Sequence, residues 1–489
     1  MPHIEDVLAA TLAAVPGQLL IGGQWRDAEH GATFDVEDPA TGKTLSQVAD
    51  ASPADGMAAL DAAVAAQDAW AATPPRFRSE ILRGAFELLM ARQDELAALM
   101  TAEMGKPLAE ARGEVAYAAE FFRWFSEEAV RIGGDHLIAP DGRSRFLVSK
   151  APVGPCVLVT PWNFPMAMGT RKIGPAVAAG CTMVLKPAEQ TPLTMLALAD
   201  LLREAGLPDG VLNVVTTSRP GPLIEPLLRD GRTRKLSFTG STDVGRVLLE
   251  QSARQVLRVS LELGGNAPFL VFPDADLEAA VDGAMLAKMR NIGEACTAAN
   301  RFYVHEDVVD EFTTLLTARM AALRVGPGLE PGVDIGPLID EAAVEKVTRL
   351  VQDAVDRGAT VHTGGSPVGG VGHFYPPTVL SGVSAAAEMR HCEIFGPVAA
   401  VATFSTEDEV VRWANDTKHG LVGYVYTTDL ARGLRVSDAL RTGMVGLNQG
   451  IVSNPAAPFG GVKHSGLGRE GGRVGIEEFL DTRYVSVPV

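Results

Sequence analysis

CVLVTPWNFPMAMGTRKIGPAVAAGCTMVLKPAEQTPLTMLALADLLREAGLPDGVLNVV, residues 156–215, decides the fold of this chain. Short β-branched runs (CVLVT, CTMVLK, VLNVV) alternate in it with Ala/Leu-rich helical windows (PMAMGTRKIGPAVAA, TPLTMLALADLLREAG). Such alternation is the signature of βαβ units building a parallel sheet, with ligands expected at the carboxyl ends of its strands. The series continues through GPLIEPLLRD, RKLSF, STDVGRVLLEQSA and VLRVSLEL. A second α/β stretch, rich in Gly/Pro turns, runs from Asn266 to about Val445.

Upstream, the chain opens on a Gly/Asp-punctuated stretch and turns helical from Pro53 onward, where Ala, Leu and Glu recur at helical spacing. RSRFLVSKA (143–151) and the tail RYVSVPV (483–489) alternate like strands, which leaves open pairing with each other or across subunits. The 489 residues, 46% hydrophobic and 21% charged, suffice for two or three cores.

The chain carries 43 Lys and Arg against 60 Asp and Glu, a formal charge of -17. Its global field therefore repels nucleic acid and anionic lipid, and an anionic substrate must be caught by local cations. Cys156, Cys181, Cys296 and Cys392 show neither paired spacing nor the density of a disulfide-stapled fold. The opening MPHIEDVLAATLAAVPG lacks the basic start of an export signal, and no apolar run approaches the ~18 residues of a membrane span. These readings predict a cytoplasmic protein with no nucleic-acid or membrane partner. Among nine histidines no HExxH or Cys/His cluster occurs, so no catalytic metal is expected.

The one literal GxGxxG, Gly466 to Gly471, follows the loop PFGGVKHS rather than a buried strand, and is expected in a loop or helix turn. Gly240-Ser241-Thr242-Asp243-Val244-Gly245 is the better phosphate candidate, because it follows the strand KLSFT and opens the helix VGRVLLEQ. Lys186 and Glu189 lie at the end of the strand TMVLK. Cys296, in RNIGEACTAANR, has small neighbours and is flanked by Arg290, Glu294 and Arg301, so nearby cations are expected to favour its thiolate. Glu262, in SLELGGN, ends a strand beside two glycines, where a carboxyl serves as a cap, an ion-pair partner or a base that reaches a water. Asn163, in TPWNFP, reads equally as the N-cap of a helix started by Pro165 and as an amide donor to an oxyanion.

Taken in order, TPWNFP, VLKPAEQTP, FTGSTDVG, LELGGN, GEACTAANR, EIFGPV and PFGGVKHSGLGRE resemble the aldehyde dehydrogenase superfamily over nearly the whole chain. The resemblance implies an α/β fold with a Rossmann-type parallel-sheet cofactor domain, a second α/β catalytic domain and a β oligomerisation arm. It divides the chain into 1–133 with 152–261 (cofactor), 262–446 (catalysis), 134–151 with 474–489 (arm of a dimer or tetramer), and 447–473 (return to the cofactor domain and substrate loop). It implies Cys296 as nucleophile, Asn163 with the Cys296 N–H as oxyanion donors, and Glu262 as the base that activates water on a thioester. Around the cofactor it implies Thr160, Pro161, Trp162, Lys186, Glu189, Gly240, Ser241, Gly245, Leu263, Gly264, Glu393 and Phe395. Because a carboxylate at Glu189 hydrogen-bonds a ribose 2'-hydroxyl and repels a 2'-phosphate, NAD is expected to be preferred, with NADP possible.

Within the superfamily TRKIGPA, KMRNIGEACTAANR and GIVSNPAAPFGG look most like succinate-semialdehyde dehydrogenases of 4-aminobutyrate degradation. That likeness places Arg171, Arg290 and Ser453 on the substrate's distal carboxylate, with Phe459 nearby. Arg171 lies eight residues beyond Asn163, about two turns along what reads as one helix. One departure loosens the match, and the substrate reading stays open. Ala298 stands where many of those relatives carry a second cysteine, and glutarate semialdehyde or a broader aldehyde range fits the same anchors. Acylating relatives lack the glutamate base, so Glu262 speaks against them. Phe122, Trp124 and Phe125 read either as gates of a substrate tunnel or as helix core.

Overall fold

The computed structural model describes residues 4–489. Residues 1–3, the start of the expected cofactor domain, lie outside the described residues. The quoted stretch folds as strand β1 (Cys156–Val159), helix α1 (Ala167–Ala179), β2 (Met183–Lys186), α2 (Pro192–Glu204) and β3 (Leu212–Val214). It continues as α3 (Pro220–Arg229), β4 (Lys235–Thr239), α4 (Thr242–Ala253) and β5 (Arg258–Glu262). Prolines open α2 and α3, where a missing N–H costs nothing, and Gly180 ends α1 in the left-handed conformation at φ 92°.

The five strands are parallel in the order β5-β4-β1-β2-β3. From β1 the chain winds outward through β2 and β3, then returns to lay β4 on the other side of β1, so the winding reverses between β1 and β4. A crevice opens at the carboxyl ends on such a switch point. Leu19–Ile21 and Gln24–Arg26 extend the β3 edge antiparallel, and Gly466–Leu467 pairs antiparallel with β5. Part of the GxGxxG is thus edge strand rather than loop or helix turn, since the free N–H and C=O row of β5 takes it up.

The N-terminal helices cap their neighbours. Glu103 accepts from the Leu193 and Thr194 N–H groups (2.8 and 2.9 Å) and Glu114 from those of Met166 and Ala167 (3.0 and 3.2 Å), so buried carboxylates from a preceding layer satisfy the first turns of α2 and α1. Phe122 and Phe125, on helix Leu108–Ala129, are fully buried in that same core, with Trp124 packed against it. They are helix core and gate nothing.

A second sheet holds Thr360–Thr363, Thr378–Ser381, Val398–Phe404, Ala299–His305, Ala267–Val271, Val422–Tyr426 and Met444–Leu447 in that order, parallel except for its first pair. Its centre is aromatic, Phe269 stacking on Tyr426 with centroids 4.9 Å apart. His136–Ile138, Ser144–Pro152 and Leu480–Pro488 form a separate three-stranded sheet, in which the two sequence-distant strands pair with each other from Leu480 with Pro152 to Pro488 with Ser144. Val474–Glu477 is a helical turn, and Ile476 and Phe479 bury into the first core, so this sheet takes only the chain from Leu480. No helix among the described residues is long and apolar enough to cross a membrane.

Candidate active site

Glu262 is the last residue of β5, and five residues later the chain enters the second sheet at Ala267. Cys296 lies just ahead of the neighbouring strand of that sheet, Ala299–His305. The two residues therefore meet at the seam between sheets. Gly265 makes the meeting possible, since a Cβ there would stand 2.2 Å from the Cys296 carbonyl oxygen. The Gly264 carbonyl accepts from Ser465 Oγ (2.7 Å) and from His419 Nδ1 (3.0 Å). Burial pushes His419 down to about 4, so the ring is neutral and its one proton makes that bond.

Cys296 is half-buried. Burial pushes its thiol up to about 12; Arg171 and Arg290 oppose the shift while Glu393 and Glu262 reinforce it. Arg290 thus favours the thiolate as expected, with Arg171 beside it, while desolvation and the two carboxylates act against it. The Arg301 guanidinium is held elsewhere, donating to the carbonyls of Asn266, Trp413 and Ala414. Thiolate should therefore increase about tenfold per pH unit, and iodoacetamide labelling of Cys296, followed by peptide mass, should climb from pH 7 to 10 without levelling. A plateau near pH 7 would show a preformed thiolate.

Glu262 is buried, and neither carboxyl oxygen has a hydrogen-bond partner. Burial, then the charge of Glu470, holds its proton well above the usual carboxylate range, against the pull of Arg171, Lys172 and Arg469. Its charge in turn acts on the Cys296 thiol. Asn163 is not an N-cap. Helix α1 begins only at Ala167, its first turn taken by Glu114, which frees the Asn163 amide to donate to the Glu294 carbonyl at 2.9 Å. Asn163 thus precedes the helix that carries Arg171 instead of sharing it. The Cys296 N–H meets no acceptor among the described residues.

On the other side of the seam, the ends of β1, β2 and β4 bring Thr160, Pro161 and Trp162 together with Lys186, Glu189, Gly240 and Ser241. The hydroxyls of Thr160 and Thr239, ending the two strands at the switch point, are buried without partners, as suits a polar ligand entering between them. Lys186 pairs with Glu189 at 3.0 Å, and Ser241 caps α4 by accepting from the Val244 N–H at 3.3 Å. Trp162 meets Phe395 edge-on, centroids 5.4 Å apart, and Glu393 accepts from the Gly265 N–H at 3.0 Å, its carboxyl raised by burial to about 7. Gly245 is buried, with the side chain of Leu263 2.4 Å from where its Cβ would be, so α4 packs closely on that residue.

Arg171 is buried, 2.9 Å from Glu470, and its guanidinium lies over Phe459 at 4.1 Å. Lys172 pairs with the same carboxylate. Arg290 differs: no carboxylate lies within ion-pair distance among the described residues, and it rests over Phe164 (4.8 Å) and Tyr117 (5.9 Å). With Ser453, Tyr117, Phe164 and Ile451 it lines a cavity of about 270 Å³. Tyr117 and Glu470 are the residues missing from the sequence reading. Tyr117 sits at helical spacing from buried Phe121, which reads as core, and Glu470 lies inside GLGREG, whose only apparent question is phosphate binding.

The aldehyde dehydrogenase family profile matches residues 25–485. The chain is 58% identical to the succinate-semialdehyde dehydrogenase of Paenarthrobacter nicotinovorans, over 91% of this chain and 98% of that one. It is 51% identical to the glutarate-semialdehyde dehydrogenase of Pseudomonas putida, over 96% and 98%. A crystal structure of an Escherichia coli NADP-dependent enzyme superposes with a TM-score of 0.96 at 51% identity, covering 98% of this chain and 99% of that one.

Proposed function

This chain belongs to the aldehyde dehydrogenase family, and from that premise we propose that it oxidises succinate semialdehyde to succinate through a thioester on Cys296. One observation carries the reading: Arg290, which has no carboxylate within ion-pair distance among the described residues although Glu110 lines the same cavity, faces that cavity with Ser453 and influences the Cys296 thiol electrostatically. A carboxylated aldehyde supplies a carboxylate that can reach Arg290 at ion-pair distance.

Cys296 Sγ adds to the aldehyde carbon as its proton passes to solvent, which the half-buried sulfur reaches, leaving the unpaired carboxyl of Glu262 free for the later attack of water. The oxygen that becomes negative is met by the Cys296 N–H and by the Asn163 amide, whose second N–H is free once the first is held by Glu294. The nicotinamide dinucleotide supplies a hydride acceptor, held by Trp162, Lys186, Glu189, Ser241, Glu393 and Phe395, with Thr160, Pro161, Gly240, Leu263 and Gly264 shaping the crevice. Glu262 then takes a proton from the water that attacks the thioester and returns it to sulfur as the acid leaves.

Glu189 supports NAD, yet its carboxylate is already neutralised by Lys186, which lessens repulsion of a 2'-phosphate. We therefore place NAD and NADP both among its acceptors, in keeping with similarity to an NADP-dependent enzyme. The arm supports self-association, since Leu137, Ile138, Leu147, Tyr484 and Val485 stand exposed on its three strands.

Succinate semialdehyde, glutarate semialdehyde and neutral butyraldehyde, each assayed with NAD and NADP, test the reading. Arg290→Ala should raise KM for both charged aldehydes by roughly tenfold to 150-fold, the value of a charged hydrogen bond, and leave butyraldehyde unchanged. Arg171→Ala should impair all three substrates, because it releases Glu470 against Glu262. Equal effects of Arg290→Ala on charged and neutral aldehydes would refute the anchor.

A further inference from the structure

The geometry points to Asn291 as a positioning residue that sets the oxyanion site, an inference resting on the thioester reading above. Helix Leu277–Met289 does not run on toward Cys296; the chain turns left-handed at Asn291 (φ 55°, ψ 40°), Ile292 (φ 62°, ψ 17°) and Gly293 (φ 76°). A β-branched residue at positive φ is strongly disfavoured, and each such residue costs on the order of 1–3 kcal/mol unless its surroundings fix it. The surroundings do so here. The Asn291 N–H donates to Glu110 at 2.7 Å, its carbonyl accepts from the Glu294 N–H at 2.8 Å, and Ile292 is fully buried. Gly293 lies so close to the Gly396 carbonyl that a Cβ would stand 2.3 Å from it.

What the strained turn delivers is one side-chain amide. Asn291 Nδ2, fully buried, donates to the Asn163 carbonyl at 3.0 Å and to the Glu294 carbonyl at 2.9 Å. The Glu294 carbonyl is also the acceptor of the Asn163 amide, and the Asn163 carbonyl is also held by Lys106 Nζ at 2.8 Å. Asn291 therefore ties the loop bearing Asn163 to the loop bearing Cys296, two residues beyond Glu294. The two proposed oxyanion donors sit on those two loops. Fixing their separation before substrate arrives removes reorganisation from the step in which charge develops. Misplacement by about 1 Å costs on the order of a hundredfold in rate.

Asn291→Gly tests this, because glycine accepts the left-handed turn without strain while the bridging amide is lost. Single-turnover formation of reduced dinucleotide and kcat should both fall by roughly a hundredfold. KM for the aldehyde should stay within about twofold of wild type. Iodoacetamide labelling of Cys296 should be unchanged, since the nucleophile is untouched. Asn163→Ala combined with Asn291→Gly should be no slower than Asn163→Ala alone, because the second residue acts through the first. Asn291→Asp, which keeps shape and turn but offers no donor, carries the same expectation if the glycine variant does not fold. A wild-type rate in either variant, a change confined to KM, or losses that multiply in the double variant would overturn the inference. A wild-type enzyme that forms no reduced dinucleotide from any aldehyde overturns instead the functional reading on which it rests.

Discussion

Cys296→Ala yields no reduced dinucleotide from any aldehyde, a loss of roughly 10⁴-fold or more, because removal of a covalent nucleophile leaves no other route to the thioester. No other thiol can take over. Cys156 and Cys181 are fully buried inside the first sheet's core, and Cys392 is a partly buried residue whose thiol is itself raised by burial. The substitution removes one sulfur from a loop fixed by backbone contacts at Gly265, so folding should be unaffected. Intact-mass spectrometry after mixing with semialdehyde and dinucleotide should show an acyl adduct on wild type and none on the variant. Turnover by the variant at even a few per cent of wild type would remove the thioester from the mechanism.

Glu262→Gln separates the two halves of the reaction. It should form about one equivalent of reduced dinucleotide per site and then stall, with steady-state turnover lowered roughly 10²–10⁴-fold, the range for loss of a general base. The amide has the carboxyl's shape and removes the repulsion from Glu470, so the protein should be no less stable. The acylated form should persist long enough to be weighed. In wild type, burial and Glu470 keep the Glu262 proton on to a higher pH than an ordinary carboxyl, so turnover should fall as pH drops through that raised range. The variant should lose that limb of the profile. Undiminished steady-state turnover in Glu262→Gln would show that another group activates the water.

The βαβ alternation from Cys156 to Glu262 was readable because strand and helix periods differ, and every segment quoted from it forms the element its pattern predicts. Residue type alone left Asn163 open between cap and amide donor because capping signals are local, whereas the group that takes the first turn of α1 is Glu114, 52 residues from Met166. The balance of effects on the Cys296 thiol was hidden for a related reason. Sequence displays the charges near a sulfur but not the depth of its burial, and depth decides the sign. Arg171 and Arg290 look alike in the chain, and only spatial contacts show that one already has Glu470 while the other has aromatic rings.

Sequence by itself determined the architecture and the candidate reacting groups, the first from residue type at short spacing (hydrophobic period, glycine turns), the second from the ordered motifs that carry the family resemblance. The tertiary structure alone decided their chemical state. Protonation, pairing and orientation at Cys296, Glu262, Arg171, Arg290 and Asn291 depend on which distant backbone or carboxylate lies within about 3 Å and on how much water is excluded, and chain neighbours set neither.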